Sequence, residues 1–171
     1  EAGRGLRRIA LVGFMGAGKT TVGQILAEEL GWQFLDLDHQ IEQEAASTVS
    51  QLFAKGEEHF RAIESKVLAR VLTQEPLVLA TGGGVVAEPK NLELLLSRAK
   101  VVYLKVPLEV LWQRTGGEEG AGVRPLLAGG FAQFSHRFAK VFEYVKGELS
   151  EGSVGGGCYR GAPRGCPTDY R

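Results

Sequence analysis

The feature that most constrains the fold is a glycine-rich stretch between a continuous apolar run and a segment whose apolar residues recur at helical spacing. Residues 8–12 read RIALV, and GFMGAGKT follows directly at residues 13–20. Apolar residues then recur at the spacing of one helical face: Val22, Ile25, Leu26 and Leu30. Gly31 is typical of a helix end. This order predicts a buried strand, a tight turn and an amphipathic helix.

Three further short runs have the composition of buried strands. Residues 32–38 read WQFLDLD and end in carboxylates, residues 76–84 read PLVLATGGG, and residues 100–106 read KVVYLKV. Such runs are apolar on both faces, which is typical of strands covered by helices on each side.

Helical patterns fill the segments between these strands. Apolar residues on two helical faces predict two helices broken at Gly56: Leu52, Phe53, Phe60, Ile63, Val67 and Val71. Pro89 and Pro107 stand where two more helices would begin, the second of them running to Arg114. Strands alternating with helices predict an α/β fold, a three-layer α/β/α arrangement with a central parallel sheet.

Length and charge limit the classes of function. The chain has 171 residues, of which 44% are hydrophobic, as expected of a single globular domain. Its 20 Lys and Arg balance its 20 Asp and Glu, which argues against a nucleic-acid-binding surface. No apolar run approaches the roughly 20 residues of a membrane span. With no signal peptide in view and two cysteines without a partner motif, we expect a cytoplasmic protein. The sequence shows no unexplained apolar surface stripe, so we expect a monomer.

Two segments depart from the strand and helix pattern. Residues 115–130, TGGEEGAGVRPLLAGG, are glycine-rich and polar, which predicts a mobile loop. Residues 151–171 contain both cysteines and show neither a helical nor a strand period of apolar residues, so we expect an irregular tail. We therefore expect one domain over residues 1–150, with a lid at about 115–130, followed by that tail.

The stretch at residues 13–20 satisfies the phosphate-binding pattern G-x-x-x-x-G-K-[ST]. Its glycines let backbone N–H groups point at one anion, and the helix behind adds its positive end. The pattern places Lys19 at the β- and γ-phosphates of ATP and the Thr20 hydroxyl on Mg²⁺. The predicted nucleotide-binding residues of the loop are Gly13, Gly16, Ala17, Gly18, Lys19, Thr20 and Thr21.

The carboxylates closest to this loop are predicted at the end of the second strand. Asp36 and Asp38 are two residues apart, and the period of a strand would point both to one side. One can serve Mg²⁺ while the other meets a substrate hydroxyl and orients or deprotonates it. The alternative is that Asp38 only caps the following helix.

A second set of residues indicates a small anionic acceptor. A lone Arg61 on a helix is usually a surface residue. The three glycines Gly82, Gly83 and Gly84 follow a buried strand, where a ligand can lie against bare N–H groups. Asp, Arg and glycine amides together suit an acceptor with one negative charge and several hydroxyls.

In this combination the chain resembles the shikimate kinases, small enzymes of the nucleoside monophosphate kinase-like P-loop fold. The matching pieces are GFMGAGKTTVG, FLDLD, GEEHFRAIE, TGGG and RTGG…VRPLL, in the family's order and spacing. They cover roughly residues 8 to 129. The resemblance implies ATP-dependent, Mg²⁺-assisted phosphorylation of the 3-hydroxyl of shikimate.

The resemblance also implies roles for individual residues. Asp38 would bind the shikimate hydroxyls near the one phosphorylated, and Asp36 would serve the Mg²⁺ site with Thr20. Arg61 would bind the shikimate carboxylate beside Gly82, Gly83 and Gly84. The positions expected to shape or support that pocket are Phe53, Phe60 and Glu64.

Three arginines complete the implied site. Arg124 corresponds to a lid arginine that closes over the phosphates, and Arg114 to one that lies against adenine. After the lid the family has an R-x-P-x-Y helix whose arginine also contacts the carboxylate. Here FAQFSHRFAKVFEYVKGELSEG lacks that pattern, and Arg137 is the candidate for the contact.

Two rival functions remain open at the sequence level. A related kinase could act on another hydroxy acid such as gluconate, although Arg61 and TGGG argue against it. A nucleotide-binding regulatory protein without turnover is the other, and only the unusual C-terminal segment supports it.

Overall fold

The computed structural model describes residues 6–116, 130–132 and 135–136. Residues 6–116 contain four strands and six α-helices. The strands are β1 (Arg8–Val12), β2 (Gln33–Asp36), β3 (Leu77–Ala80) and β4 (Lys100–Tyr103). The helices are α1 (Lys19–Leu30), α2 (Leu37–Ala45), α3 (Val49–Ala54), α4 (Glu57–Val71), α5 (Pro89–Arg98) and α6 (Leu108–Arg114), and a 3₁₀ turn covers Val85–Ala87.

The four strands form one parallel sheet in the order β2-β3-β1-β4. The connection through α1 runs from β1 toward β2, and the one through α5 runs the other way, from β3 past β1 to β4. Right-handed crossovers in opposite directions place their helices on opposite faces of the sheet. The predicted α/β fold with a central parallel sheet is therefore confirmed.

The register of the sheet brings three chain segments to one edge. Asp36 at the end of β2 pairs with Ala80, and Ala80 pairs with Leu11 on β1. The Gly82–Gly84 loop and the GFMGAGKT loop thus leave the sheet side by side. Ligands of open α/β sheets bind in the crevice outside such carboxyl ends, where successive connections diverge.

The core consists of β3, the C-terminal part of β1 and the inner faces of the helices. All four residues of β3 are buried, and helix α4 contributes Val67, Leu68 and Val71. On α1 the sequence pattern was only half right. Val22 is buried and Leu26 is partly buried, but Ile25 and Leu30 are 36% and 41% exposed. The buried face of α1 includes Gly23 and Ala27 instead, because small residues let the helix lie close to the sheet.

The end of the second strand differs from the prediction. Strand β2 ends at Asp36, and α2 begins at Leu37, so Asp38 lies in the first turn of a helix rather than on a strand. The Asp36 carboxylate caps this helix by accepting a hydrogen bond from the backbone N–H of His39 at 3.2 Å. Asp36, and not Asp38, is therefore the capping residue, and the period-2 argument does not apply to the pair.

Helix boundaries elsewhere follow the sequence signals. Helices α3 and α4 meet at Gly56, α5 begins at Pro89, and α6 begins directly after Pro107 and ends at Arg114. Strand β4 is shorter than the apolar run that predicted it and ends at Tyr103. Among the described residues, no helix is both long and apolar enough to cross a lipid bilayer. The predicted tail over residues 151–171 lies outside the described residues.

Candidate active site

The phosphate-binding loop connects β1 to α1 in the geometry that its glycines predict. Gly18 stands at the N-cap of α1 with φ 92°, a backbone conformation that residues with a Cβ rarely adopt. The N-terminal end of α1 faces the crevice, where its positive dipole end favours an anion. The loop and the 12-residue helix behind it therefore form an anion site from backbone alone.

Lys19 is buried at this site and is held by the loop itself. Its Nζ donates to the carbonyl oxygens of Gly13 and Phe14 at 2.7 and 3.0 Å. Burial lowers the pKa of its ammonium to about 8, while the carboxylates of Asp38 and Asp36 act in the opposite direction. The ammonium is thus held within the loop by two backbone carbonyl oxygens.

Thr20 and Asp36 form a pair of oxygen donors next to this lysine. The Thr20 hydroxyl donates to Asp36 Oδ2 at 3.0 Å. A hydroxyl beside a carboxylate fits Mg²⁺, a hard cation that uses one or two protein carboxylates and completes its shell with water and phosphate oxygens. The donor set predicted for the metal is therefore present, although Asp36 also caps α2.

Asp38 faces the start of the glycine loop. A Cβ placed on Gly82 would lie 3.1 Å from Asp38 Oδ1, so this carboxylate lies against the backbone of the loop. Burial raises the pKa of Asp38, neighbouring Asp36 raises it further, and Lys19 opposes the shift. A carboxylate with a raised pKa is a stronger base, which suits the acceptance of a hydroxyl proton.

Arg61 is held by a buried carboxylate rather than being a free surface side chain. Its Nη1 donates to Glu64 Oε1 at 2.8 Å, and Glu64 is 1% exposed. The phenyl rings of Phe53 and Phe60 stack at 4.3 Å, with the guanidinium carbon 5.6 and 5.2 Å from their centroids. Burial raises the pKa of Glu64, and Arg61 opposes that rise by favouring the ionised form.

The guanidinium of Arg61 packs directly against the backbone of Gly84. A Cβ at this position would collide with Arg61 Nη2 and lie 3.0 Å from Cζ. The preceding glycine, Gly83, lies against the phosphate-binding loop, since a Cβ there would be 3.0 Å from the Met15 nitrogen. The glycine loop therefore lies between Arg61 on one side and the phosphate-binding loop on the other.

The structure thus brings the predicted acceptor residues together from three elements. Asp38 comes from α2, Arg61 from α4 and the glycines from the segment after β3. Three further residues in this region were not singled out by the sequence: Met15, Thr81 and Asn91. The Thr81 hydroxyl donates to the carbonyl of Leu11 at 2.9 Å. This hydrogen bond connects the start of the glycine loop to the strand that leads into the phosphate-binding loop. Threonine at a strand end carries no distinctive sequence signal, which is why it was missed.

Of the arginines expected at the nucleotide, one is described. Arg114 at the end of α6 donates from Nη1 to the carbonyl of Gly16 at 3.2 Å, so its side chain lies along the phosphate-binding loop. Arg124, Arg137 and most of the predicted lid at 115–130 lie outside the described residues, and their roles stay predictions.

Comparisons with known proteins agree with this geometry. The family model described as shikimate kinase matches residues 15–141. A shikimate kinase of Persephonella marina is 40% identical over 136 residues, which are 79% of this chain and 81% of the relative. One of Moorella thermoacetica is 48% identical over 71% of this chain and 69% of its own. The chain belongs to the shikimate kinase family.

Solved shikimate kinase structures superpose on this chain as well. The enzyme from Acinetobacter baumannii in complex with shikimate is 44% identical, with a TM-score of 0.69 over 83% of this chain and 75% of that one. The Aquifex aeolicus enzyme is 34% identical, with a TM-score of 0.71 over 81% and 82%. A gluconokinase from Sinorhizobium meliloti is 16% identical with a TM-score of 0.51, and this likeness shows the fold alone. The family, the fold and the kinase activity predicted from the motifs are confirmed.

Proposed function

We propose that this member of the shikimate kinase family transfers the γ-phosphoryl group of ATP to the 3-hydroxyl of shikimate, giving shikimate 3-phosphate for aromatic amino acid biosynthesis. One observation supports it most. Asp38, Arg61 and the backbone of Gly84 converge beside the phosphate-binding loop at one edge of the sheet. A carboxylate, a guanidinium and bare amides next to a phosphate site match a hydroxylated acceptor that carries a carboxylate.

On the donor side, the backbone of the loop and one side chain hold ATP. Lys19 exchanges the carbonyls of Gly13 and Phe14 for the β- and γ-phosphates, so that its buried ammonium stays hydrogen-bonded. The loop residues that bind the phosphates are Gly13, Gly16, Ala17, Gly18, Thr20 and Thr21. Thr20 and Asp36 would hold Mg²⁺, which would supply positive charge beside the phosphate oxygens. Arg114, which already lies on this loop, extends toward adenine.

On the acceptor side, Asp38 orients the hydroxyl and takes its proton as the phosphoryl group is transferred. Arg61 and the N–H groups of Gly82, Gly83 and Gly84 hold the carboxylate. Glu64 and the two phenyl rings keep the guanidinium in place before the substrate arrives, so little side-chain entropy is lost on binding.

The remaining roles are proposed from the resemblance. Arg124 closes over the phosphates and stabilises charge on the transferring oxygens, and closure of its loop excludes water from the reaction. Arg137 gives a second contact to the acceptor carboxylate. We also propose that the protein works in the cytoplasm as a monomer.

An acceptor panel tests the proposal. The chain is incubated with Mg-ATP and shikimate, gluconate or quinate, and ADP release and the phosphorylated product are followed by phosphorus and proton NMR. We expect release with shikimate far above the acceptor-free rate, and coupling of phosphorus to the proton on carbon 3. Preferred turnover of gluconate, or ATP binding without release for any acceptor, would contradict it.

A further inference from the structure

A buried side-chain amide stands behind the glycine loop of the acceptor site. Asn91, in the first turn of α5, is 3% exposed, and its Nδ2 donates to the carbonyl oxygen of Val85 at 3.2 Å. Its own backbone N–H donates to the carbonyl of Glu88 at 3.0 Å, which fixes the residue at the start of the helix. A buried amide that loses its partner costs free energy, so this bond keeps Asn91 and Val85 together.

Val85 is the first residue after the three glycines, and the segment around it is a chain of short turns. The N–H of Val85 donates to the carbonyl of Gly82 at 3.4 Å, and the N–H of Ala87 donates to the carbonyl of Gly84 at 3.1 Å. The side chains of Val85 and Val86 are fully buried. The carbonyls of Gly82 and Gly84 thus accept hydrogen bonds within these turns, and the carbonyl of Val85 accepts one from α5. Among the described residues, the N–H groups of Gly82, Gly83 and Gly84 have no acceptor.

The same loop limits how closely the Arg61 guanidinium can approach the backbone of Gly84. The guanidinium rests directly on Gly84, one residue before the carbonyl that Asn91 holds. Glycines have no side chains to fix their own conformation, and three in succession would otherwise sample many. The anchor at Val85 is therefore the nearest side-chain contact that limits this freedom on the α5 side.

We propose that Asn91 is a positioning residue for the acceptor. Through Val85 it fixes the backbone of Gly82–Gly84 against Arg61, so that the loop N–H groups and the guanidinium face the same carboxylate. Asn91 does not touch the substrate. The inference rests on the proposed function, since it concerns how the carboxylate of that acceptor is held.

Steady-state kinetics of two variants test this role. Asn91→Ala removes the donor, and Asn91→Leu removes it while filling a similar volume, so that at least one variant is expected to fold. We expect the KM for shikimate to rise roughly five- to tenfold, as for the loss of one well-placed neutral hydrogen bond. The kcat and the KM for ATP should stay within about twofold.

Leu95→Ala is the matched control. Leu95 is fully buried on the same face of α5, one turn further on, and does not contact the glycine loop through a hydrogen bond. This variant should lower the Tm at least as much as Asn91→Ala while leaving the KM for shikimate unchanged. That separation distinguishes positioning from general stability.

Two results would overturn the inference. Either folded Asn91 variants would show an unchanged KM for shikimate, or Leu95→Ala would raise that KM as much as they do. A wild-type chain without shikimate-dependent ADP release would instead overturn the proposed function, and this inference with it.

Discussion

The phosphate-binding loop and the acceptor site lie at the same edge of the sheet but are held there by different kinds of contact. The loop is one continuous stretch, residues 13–20, whose backbone and following helix form the anion site. The acceptor site is assembled from α2, α4 and the segment after β3, and its geometry depends on side-chain contacts such as Arg61 with Glu64. A local motif can therefore specify the first, whereas the second depends on the whole fold.

This difference predicts that substitutions in the phosphate-binding loop and in the acceptor site have separable effects. Changes at the loop should alter the handling of ATP, and changes at α2, α4 or the glycine loop should alter the handling of the acceptor. The following substitutions test that separation, beginning with the largest expected effect.

Asp38→Asn should reduce kcat by about 10³-fold, because the amide cannot accept the hydroxyl proton. ATP binding should stay within about twofold, as measured by titration with a non-hydrolysable ATP analogue. Wild-type turnover by this variant would show that Asp38 is not the group that activates the acceptor.

Lys19→Met should reduce kcat/KM for ATP by about 10²- to 10³-fold, since one charge at the transferring phosphate is lost. The Tm should not fall, because burial already disfavours the ammonium, as its pKa of about 8 indicates. Shikimate binding without nucleotide, followed by calorimetry, serves as the control. A large loss there would mean that the two sides are not separable.

Gly84→Ala and Gly23→Ala form a matched pair of added methyl groups. At Gly84 the new Cβ would displace the guanidinium of Arg61, which is a side-chain end rather than backbone, so we expect the KM for shikimate to rise about tenfold with little change in Tm. At Gly23 it would lie 2.6 Å from the Phe34 ring in the packing of α1 on the sheet, so we expect about 1–3 kcal/mol of lost stability.

Kinetics at a temperature where both glycine variants are folded check this pair. Gly23→Ala should keep the wild-type KM for shikimate. An unchanged KM for shikimate in Gly84→Ala would mean that shikimate binding does not require the packing of the Arg61 guanidinium against Gly84.

The pH dependence of kcat/KM should follow the two shifted groups. Lys19 must be protonated, so activity at low ATP should fall as pH rises through about 8. Asp38 must be ionised, so activity should also fall as pH falls through its raised pKa, at a higher pH than for an ordinary carboxylate. The acid limb should be absent from the residual activity of Asp38→Asn.

The smallest effect is expected at the surface pair that joins α2 to α4. Glu44 accepts from Arg70 Nε at 2.9 Å and lies 3.9 Å from Lys66 Nζ, with all three side chains partly or largely exposed. Glu44→Gln should cost about 0–1 kcal/mol in a denaturant titration, because exposed ion pairs contribute little. A tenfold rise in the KM for shikimate would show that this pair, and not the buried contacts, sets the spacing of α2 and α4.

The sequence predicted the fold class well because its signals are local. Apolar runs marked the strands, and Gly31, Gly56, Pro89 and Pro107 marked helix boundaries that the structure confirms. It was wrong at the end of the second strand. The strand ending at Asp38 was too long, because the run WQFLDLD carries no sign that Asp36 caps a helix starting at Leu37.

The contacts that shape the acceptor site could not be deduced from residue spacing. The resemblance placed Glu64 near the pocket, but spacing alone did not indicate that it is fully buried against Arg61. The anchor between Asn91 and Val85 was not predicted, because a polar residue in the first turn of a helix is ordinarily exposed. Such contacts depend on which elements the fold brings together.

The most direct test of the account is ADP release with Mg-ATP, with and without shikimate, by the wild-type chain and by Arg61→Met in parallel. We predict strong shikimate-dependent release by the wild type, and a rise of at least about tenfold in the KM for shikimate in the variant, with the KM for ATP unchanged. Release that does not depend on shikimate, or a variant with the wild-type KM for shikimate, would contradict the account.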